Sequence, residues 1–237
     1  RGLGDVYKSQ FMNNICENFR QIIINSLEDI KNLKNKTIQK SDNSFVSEGD
    51  LHVQKLITQE IKENYSNYFL ISEENDHKEK WKDHDDFIVL APIDGTDNFI
   101  SGMKEWGVGI SVFKNKKHVE SMIFLPDMDI TLKSGDKVKK NKSRIIGMSS
   151  RYFKRGLKPC DTNFEYRALG CSMINMYYVI TGSFKSYVDT NGGFIWDILP
   201  GLNLALENNC EVYVEGKKYN GEFLAPNKRY KLEILNK

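Results

Sequence analysis

Apolar residues recur at helical spacing in the first third of the chain. From Asp5 to Leu33 they return every three or four positions among polar residues, and a similar stripe runs from Asp50 to Tyr65. A period near 3.6 residues is typical of an amphipathic helix packed on a sheet. We therefore predict two long helices. The polar stretch between them, Lys34 to Glu48, has no periodicity and is predicted to be a loop.

The middle of the chain changes to strand patterns. Short apolar runs are followed by alternating segments, and turn residues such as Pro126-Asp127 separate them. This arrangement is typical of strands, the last three forming an antiparallel meander. The predicted strands are Phe69 to Ser72, Phe87 to Leu90, Gly107 to Phe113, His118 to Leu125 and Asp129 to Lys133.

Helical and strand patterns alternate in the second half, which favours an α/β layer packed on the first half. No repeat or low-complexity linker separates the halves, so we predict one compact unit, residues 1–237, with halves 1–135 and 136–237. The predicted strands are Arg144 to Met148, Ser186 to Asp189 and Glu211 to Val214, and the predicted helices are Cys171 to Ile180 and Trp196 to Glu207.

Composition narrows the function classes. The 237 residues are 40% hydrophobic and carry a net charge of +2, which supports a folded core and gives no general attraction to nucleic acid. The four cysteines show no paired spacing, so neither zinc nor disulfides are predicted. No run approaches the roughly 20 apolar residues of a membrane span. The expectation is a cytoplasmic protein with no membrane or nucleic-acid polymer as partner.

The candidate chemistry is concentrated in the sequence FIVLAPIDGTDNF, which starts at Phe87. A buried strand opens there into a tight polar turn. The amides of Gly95 and Thr96 could hold a phosphate, and the Asp94 carboxylate could hold a hard cation. An ordinary hairpin turn is the other interpretation of Asp-Gly.

Two further stretches favour the chemical interpretation. Ser72-Glu73-Glu74 ends an apolar strand, and Trp196-Asp197 stands at the start of an apolar helix. Together with Pro-Ile-Asp-Gly-Thr, they resemble the Gly-Glu-Glu, Asp-Pro-Ile-Asp-Gly-Thr and Trp-Asp motifs of the inositol monophosphatase superfamily, over nearly the whole chain. The resemblance implies an α+β and α/β layered sandwich (α-β-α-β-α). It also implies Mg²⁺-dependent, lithium-sensitive hydrolysis of a small phosphate monoester, and a homodimer is compatible with it.

The resemblance also implies roles for individual residues. Thr96, hydrogen-bonded to Asp50, would orient and deprotonate the attacking water, and the Gly95 and Thr96 amides would grip the phosphate. Asp50 could equally be a helix cap. The implied metal ligands are Glu73 with the Ile93 carbonyl for one ion and Asp94 with Asp197 for another. Glu74 would lie next to these ligands without binding a metal directly.

The sequence supports the substrate-contact residues less specifically than it supports the metal ligands. Asp189 matches a position that holds a substrate hydroxyl in the family, and Gly170 and Ser172 would line the same pocket. Asp189 could instead be an ordinary turn residue. The family's loop lysine has two candidates, Lys36 and Lys40, for both of which we prefer a surface position.

One departure from the family pattern concerns Ala91, which stands where the motif begins with Asp. The family uses two or three Mg²⁺ ions, and the missing carboxylate bridges two of them. Fewer ions, or weaker binding, are therefore expected here. The chain could be an altered enzyme, a weak natural one, or a protein kept for binding. Because the other ligand positions are intact, we favour an altered or impaired enzyme.

The substrate stays open between inositol phosphates, fructose 1,6-bisphosphate and 3'-phosphoadenosine phosphates. Asp97-Asn98-Phe99 is closer to the sugar and inositol branch than to the nucleotide branch, which has a Lys-Glu pair there. The alternative from another class is a non-catalytic regulatory protein that binds a phosphorylated metabolite or a partner chain.

Overall fold

The computed structural model describes residues 15–40, 44–75, 80–154 and 161–237. Its outer layer consists of three helices: α1 (Ile15–Asn25), α2 (Leu27–Asn32) and α3 (Glu48–Asn64). The single helix predicted from Asp5 to Leu33 is wrong in its described part, because a turn at Ser26 divides it. Its first ten residues lie outside the described ranges. Helix α3 starts at Ser47, whose hydroxyl accepts from the Asp50 amide while Asp50 accepts from the Ser47 amide.

A short hairpin replaces the predicted loop between the long helices. Strand β1 (Thr37–Gln39) pairs with β2 (Phe45–Ser47) in antiparallel register, with Ile38 opposite Val46. Three-residue strands are too short to show a period of two, so backbone pairing forms them without a sequence signal.

A five-stranded sheet lies beneath the helices. The first pair of strands is parallel, and the others form the predicted antiparallel meander. All five strands were predicted within a few residues of their ends. In sheet order they are β3 (Phe69–Ser72), β4 (Phe87–Asp94), β5 (Gly107–Lys114), β6 (Lys117–Leu125) and β7 (Ile130–Lys133).

The second half contains a six-stranded sheet with the order β12-β11-β13-β10-β8-β9. Three of its strands were not predicted, although the last alternates between buried and exposed residues. The strands are β8 (Ile145–Met148), β9 (Glu165–Arg167), β10 (Ser186–Gly193), β11 (Glu211–Val214), β12 (Lys217–Lys218) and β13 (Tyr230–Leu235).

Helices α6 (Ser172–Ile180) and α7 (Ile195–Glu207) pack against strands of both sheets. They contribute Met173, Ile198 and Leu202 to an inner core, while the outer helices share a second core with the far face of the five-stranded sheet. Two short helices, α4 (Thr96–Ile100) and α5 (Ser150–Lys154), follow strands β4 and β8. The predicted layered sandwich is confirmed. Because α7 packs on both sheets, we propose that the halves form one unit.

Three of the four cysteines are described, and each is a buried free thiol: Cys16, Cys171 and Cys210. Cys160 lies outside the described residues. Within the described ranges, no helix has both the length and the apolar character that crossing a bilayer requires.

Candidate functional site

At the carboxyl end of strand β4, the regular alternation of side chains between the two faces of the sheet is interrupted. Phe87, Val89 and Ala91 face the inner core, with the residues between them on the outer face. The pairing with β5 then shifts between Ala91 and Asp94, and Ile93 lies in the outer core. The bulge therefore turns Asp94 to the inner face that Ala91 also occupies, three positions earlier.

Asp94 is held by donors from the second half of the chain. Its Oδ2 accepts from the Met173 amide at 2.5 Å and from the Cys171 thiol at 3.1 Å. Burial, together with the Glu73 charge, raises the pKa of Asp94 to about 6, although these two donors oppose the rise. A positive charge on Arg151 acts in the opposite direction.

Asp197 lies in the first turn of α7, where its Oδ2 accepts from the Phe194 amide at 3.3 Å. Burial raises the pKa of Asp197 well above its usual value, and the charges of Glu73 and Asp94 raise it further. Repulsion of this kind requires proximity. The Glu73 charge therefore acts on both aspartates. That the three carboxylates, from β4, α7 and the turn after β3, form one metal site stays a prediction.

The turn after β3 holds an ion pair with the β1–β2 hairpin. Lys40 Nζ lies 2.9 Å from Glu73 Oε1 and 2.7 Å from Glu74 Oε1. Burial raises the pKa of Glu74, and the Lys40 ammonium partly offsets that effect. The surface position preferred for Lys40 is therefore wrong. Lys36 does lie at the surface, 3.2 Å from Glu48.

The hydrogen bond predicted between Thr96 and Asp50 is present: Thr96 Oγ1 lies 3.1 Å from Asp50 Oδ1 and 3.2 Å from the Ile93 carbonyl. Asp50 is 2% exposed, and its other oxygen accepts from the Ser47 amide and hydroxyl. Burial raises the pKa of Asp50, although these donors oppose the rise. Asp50 is therefore both a cap of α3 and a partner of Thr96.

Gly95 connects β4 to α4 with a φ of +82°, a conformation that favours glycine. A Cβ at this position would lie 2.8 Å from Cys171 Cβ, so a side chain would force the two halves apart. The turn is thus a tight connection into a helix, and the ordinary hairpin interpretation is wrong.

The predicted substrate residues each have contacts within the protein, and their role in binding a substrate stays a prediction. Asp189 Oδ1 accepts from the amides of Asn191 and Gly192 at 2.9 and 3.0 Å, which makes it a turn residue. Gly170 packs against the Asn98 side chain, and the Ser172 hydroxyl lies 3.5 Å from the Tyr187 hydroxyl.

Among the described residues, no three acidic, histidine or cysteine side chains form a cluster with metal-binding geometry. Asp94, Asp197 and Glu73 instead each contact a donor of the protein. Their chemistry nevertheless fits Mg²⁺, because it prefers hard oxygen ligands and a cation would relieve the repulsion that raises the two aspartate pKa values. Ala91 is fully buried on the same face and supplies no ligand atom.

Arg151 is the charged residue of this region that the sequence did not single out. It starts no recognisable motif, and only the packing of α5 against β10 brings it near Asp94 and Asp197. The proximity of Arg151 to these acids is visible only in the structure.

The chain is similar to a nucleotidase, to a Nus factor and to a phosphatase of known structure. It is 29% identical over 184 residues to the 3'(2'),5'-bisphosphate nucleotidase CysQ of Haemophilus influenzae, covering 67% of each chain. It is 24% identical over 233 residues to the Nus factor SuhB of Pasteurella multocida, covering 85% of each. A crystal structure of an IMPase/NADP phosphatase with Mg²⁺ and phosphate superposes with a TM-score of 0.77 at 19% identity, covering 96% of this chain and 91% of that one. The sequence model of the inositol monophosphatase family matches residues 9–151, and the chain belongs to that family.

Proposed function

We propose that this protein hydrolyses a small phosphate monoester in a Mg²⁺-dependent reaction in which water attacks the phosphorus directly. The substrates we favour are an inositol monophosphate or a sugar phosphate such as fructose 1,6-bisphosphate. One observation carries the proposal: Thr96, bonded to the buried Asp50, adjoins the turn that presents Asp94. A proton-handling pair thus lies beside a group of repelling carboxylates.

Four groups would hold the metal: Glu73, the Ile93 carbonyl, Asp94 and Asp197. Bound there, Mg²⁺ supplies an activated water and neutralises charge on the phosphoryl oxygens and the leaving alkoxide. Ala91 removes one anionic ligand from this set, so we expect weak binding and slow turnover.

The chain's own residues would handle the proton. Asp50 accepts the Thr96 hydroxyl proton at 3.1 Å, which leaves a Thr96 lone pair free to accept a proton from water. Ser47 fixes the Asp50 carboxylate through two hydrogen bonds of 2.9 and 2.6 Å. The Gly95 and Thr96 amides would hold the phosphate at the turn.

Lys40 would compete with a cation for Glu73, because its ammonium lies on one of the two carboxylate oxygens. The hairpin that carries Lys40 pairs through only three residues on each strand. A small movement of this hairpin would release Glu73.

The similarity to the CysQ nucleotidase supports phosphatase activity and keeps 3'-phosphoadenosine phosphates among the candidate substrates. The second candidate function is non-catalytic binding of a phosphorylated metabolite in a regulatory role. The buried Ala91 and the similarity to proteins named Nus factor SuhB favour it.

An assay of phosphate release distinguishes the phosphatase function from the regulatory binding function. The protein is incubated with inositol 1-phosphate, fructose 1,6-bisphosphate and 3'-phosphoadenosine 5'-phosphate, with Mg²⁺, with EDTA, and with Mg²⁺ plus Li⁺. We expect slow, Mg²⁺-dependent and Li⁺-inhibited release from at least one, absent in Asp197→Asn. Binding of a substrate with no release above that variant would favour the regulatory function.

A further inference from the structure

One side-chain amide joins two segments from different halves of the chain. Asn98, in α4, is 8% exposed, and its Nδ2 donates to the Glu105 carbonyl at 2.6 Å and to the Leu169 carbonyl at 2.7 Å. Both hydrogens of the amide nitrogen are thus used. Because Leu169 lies 71 positions further along the chain, Asn98 ties α4 to the second half.

The two segments that Asn98 holds border the Gly95 turn. A Cβ built on Gly95 would lie 3.1 Å from the Glu105 carbonyl oxygen and 2.8 Å from Cys171 Cβ. Cys171 follows Leu169 by two positions. The turn therefore lies between the two segments, in a space too narrow for a methyl group. Asn98 helps to set the width of that space, because it is bonded to both sides.

The held segment of the second half also supplies the donors of Asp94. The Cys171 thiol and the Met173 amide both donate to Asp94 Oδ2, at 3.1 and 2.5 Å. Gly170 precedes them with a φ of +73°, and a Cβ built on it would lie 2.9 Å from Asn98 Oδ1. The backbone thus passes directly against the Asn98 amide, so a shift of this segment carries the donors of Asp94 with it.

An amide suits this position better than the side chains closest to it in shape. Both contacts are carbonyl oxygens, which accept hydrogen bonds, and the amide nitrogen supplies two donors without a charge. Aspartate would offer only acceptors, and leucine would offer no polar group. Either residue would leave two part-buried carbonyls without these donors, at a free-energy cost that a shift of the two segments can relieve.

We propose that Asn98 is a positioning residue of the candidate site. It holds the two segments that orient the Asp94 carboxylate and enclose the Gly95 turn. In this role it touches neither the cation nor the phosphate, and its effect passes through Cys171 and Met173. The inference rests on the proposed function only for the identity of the ligands.

Two measurements on Asn98→Leu test this role. Calorimetry with Mg²⁺, alone and with inorganic phosphate, should show Mg²⁺ affinity reduced about 10- to 100-fold, the usual range for residues that orient metal ligands. Hydrogen exchange followed by NMR should show the Met173 amide exchanging faster than the loss of global stability explains, because its bond to Asp94 is weakened. The milder Asn98→Ser keeps one hydroxyl donor and should give smaller changes in the same direction.

Tyr219→Phe is the matched control, because it removes a buried hydroxyl that bonds to the Glu222 carbonyl, outside the segments that Asn98 joins. It should lower stability in urea and leave Mg²⁺ affinity unchanged. If the wild type binds Mg²⁺ and both Asn98 variants bind it equally well, the inference is overturned. It is also overturned if exchange of the Met173 amide follows global stability alone. Faster Met173 exchange in a protein whose wild type binds no Mg²⁺ would refute the proposed function and leave the positioning role standing.

Discussion

Glu17 and Asp94 are both carboxylates held by several donors, yet folding moves their pKa values in opposite directions. Glu17, on the outer helix α1, receives hydrogen bonds from Lys133 and Gln21 that lower its pKa to about 2. Asp94 also accepts two bonds, but burial and the neighbouring Glu73 raise its pKa to about 6. Donor number therefore does not decide the outcome. Exposure and the sign of the neighbouring charges do.

The contrast separates two uses of a carboxylate. Ionised Glu17 stabilises the fold by pairing one helix with the edge of the five-stranded sheet. Ionised Asp94 and Asp197 destabilise the metal-free fold, because they are buried and repel each other. Acids kept in an unfavourable state suit the cation site proposed above, and this is the usual trade between stability and function.

The largest expected effect comes from completing the acidic group. Ala91→Asp places a further carboxylate on the inner face that Asp94 also occupies. We expect Mg²⁺-dependent phosphate release to rise by about a hundredfold or more, since two-metal sites supply several kcal/mol and each 1.36 kcal/mol is tenfold in rate. Phosphate release and calorimetric titration with Mg²⁺ test this.

The uncharged Ala91→Asn is the matched control and should stay slow. Met173 is the neighbour that must yield, because its side chain fills the space at Gly109, opposite Ala91. A folded Ala91→Asp protein with unchanged Mg²⁺ affinity and unchanged turnover would refute the cation-site assignment.

A second change separates proton handling from cation binding. Thr96→Val removes the hydroxyl that lies 3.1 Å from Asp50 and keeps the side-chain shape. Turnover should fall about 10²- to 10⁴-fold, the usual range for loss of acid–base catalysis, with Mg²⁺ affinity unchanged. Thr96→Ser retains the hydroxyl and should retain most activity. Equal activity of the valine and serine variants would exclude a catalytic hydroxyl.

The third prediction concerns stability of the metal-free protein. The folded-state pKa of Asp94 is raised, so folding favours its protonated form, and stability is lost as pH rises from about 4 to about 6. Asp94→Asn lacks this titration and should be more stable than wild type at pH 7, by on the order of 1–3 kcal/mol. Urea unfolding in EDTA at pH 4 and pH 7 measures it. If Asp94→Asn were less stable than wild type at pH 7, the ionised Asp94 carboxylate would not destabilise the fold.

Glu17 should give the smallest effect and the opposite sign. Its lowered pKa contributes stability above about pH 4.5 that is lost as pH falls towards 2. Because the side chain is 32% exposed, solvent screening reduces the value, and Glu17→Gln should cost about 0.5–1 kcal/mol at pH 7. Thermal unfolding against pH, with the exposed Glu28→Gln as control, checks it. An identical profile for both variants would contradict the pairing.

Local patterns predicted the fold well where a segment buries one face. The run Phe87 to Leu90 and the stripe of α7 each carry their own signal, and both elements were found. The bulge after Ala91 could not be predicted, because it depends on how β5 pairs with β4. The contacts of Lys40 and Arg151 also depend on parts of the chain distant in sequence. The family resemblance named the acids and offered Lys40 as a candidate, but nothing in the sequence singled out Arg151.

Strand β13 imposes an order on the assembly of the second sheet during synthesis. It follows β11 in the chain, but in the sheet it lies between β10 and β11 and pairs with both. Strand β11 therefore cannot be connected to β10 until β13, which ends at Leu235, has emerged from the ribosome. Asp197 follows β10 in the chain, so Glu73 and Asp94 are synthesised about a hundred residues before the third acid of the proposed group.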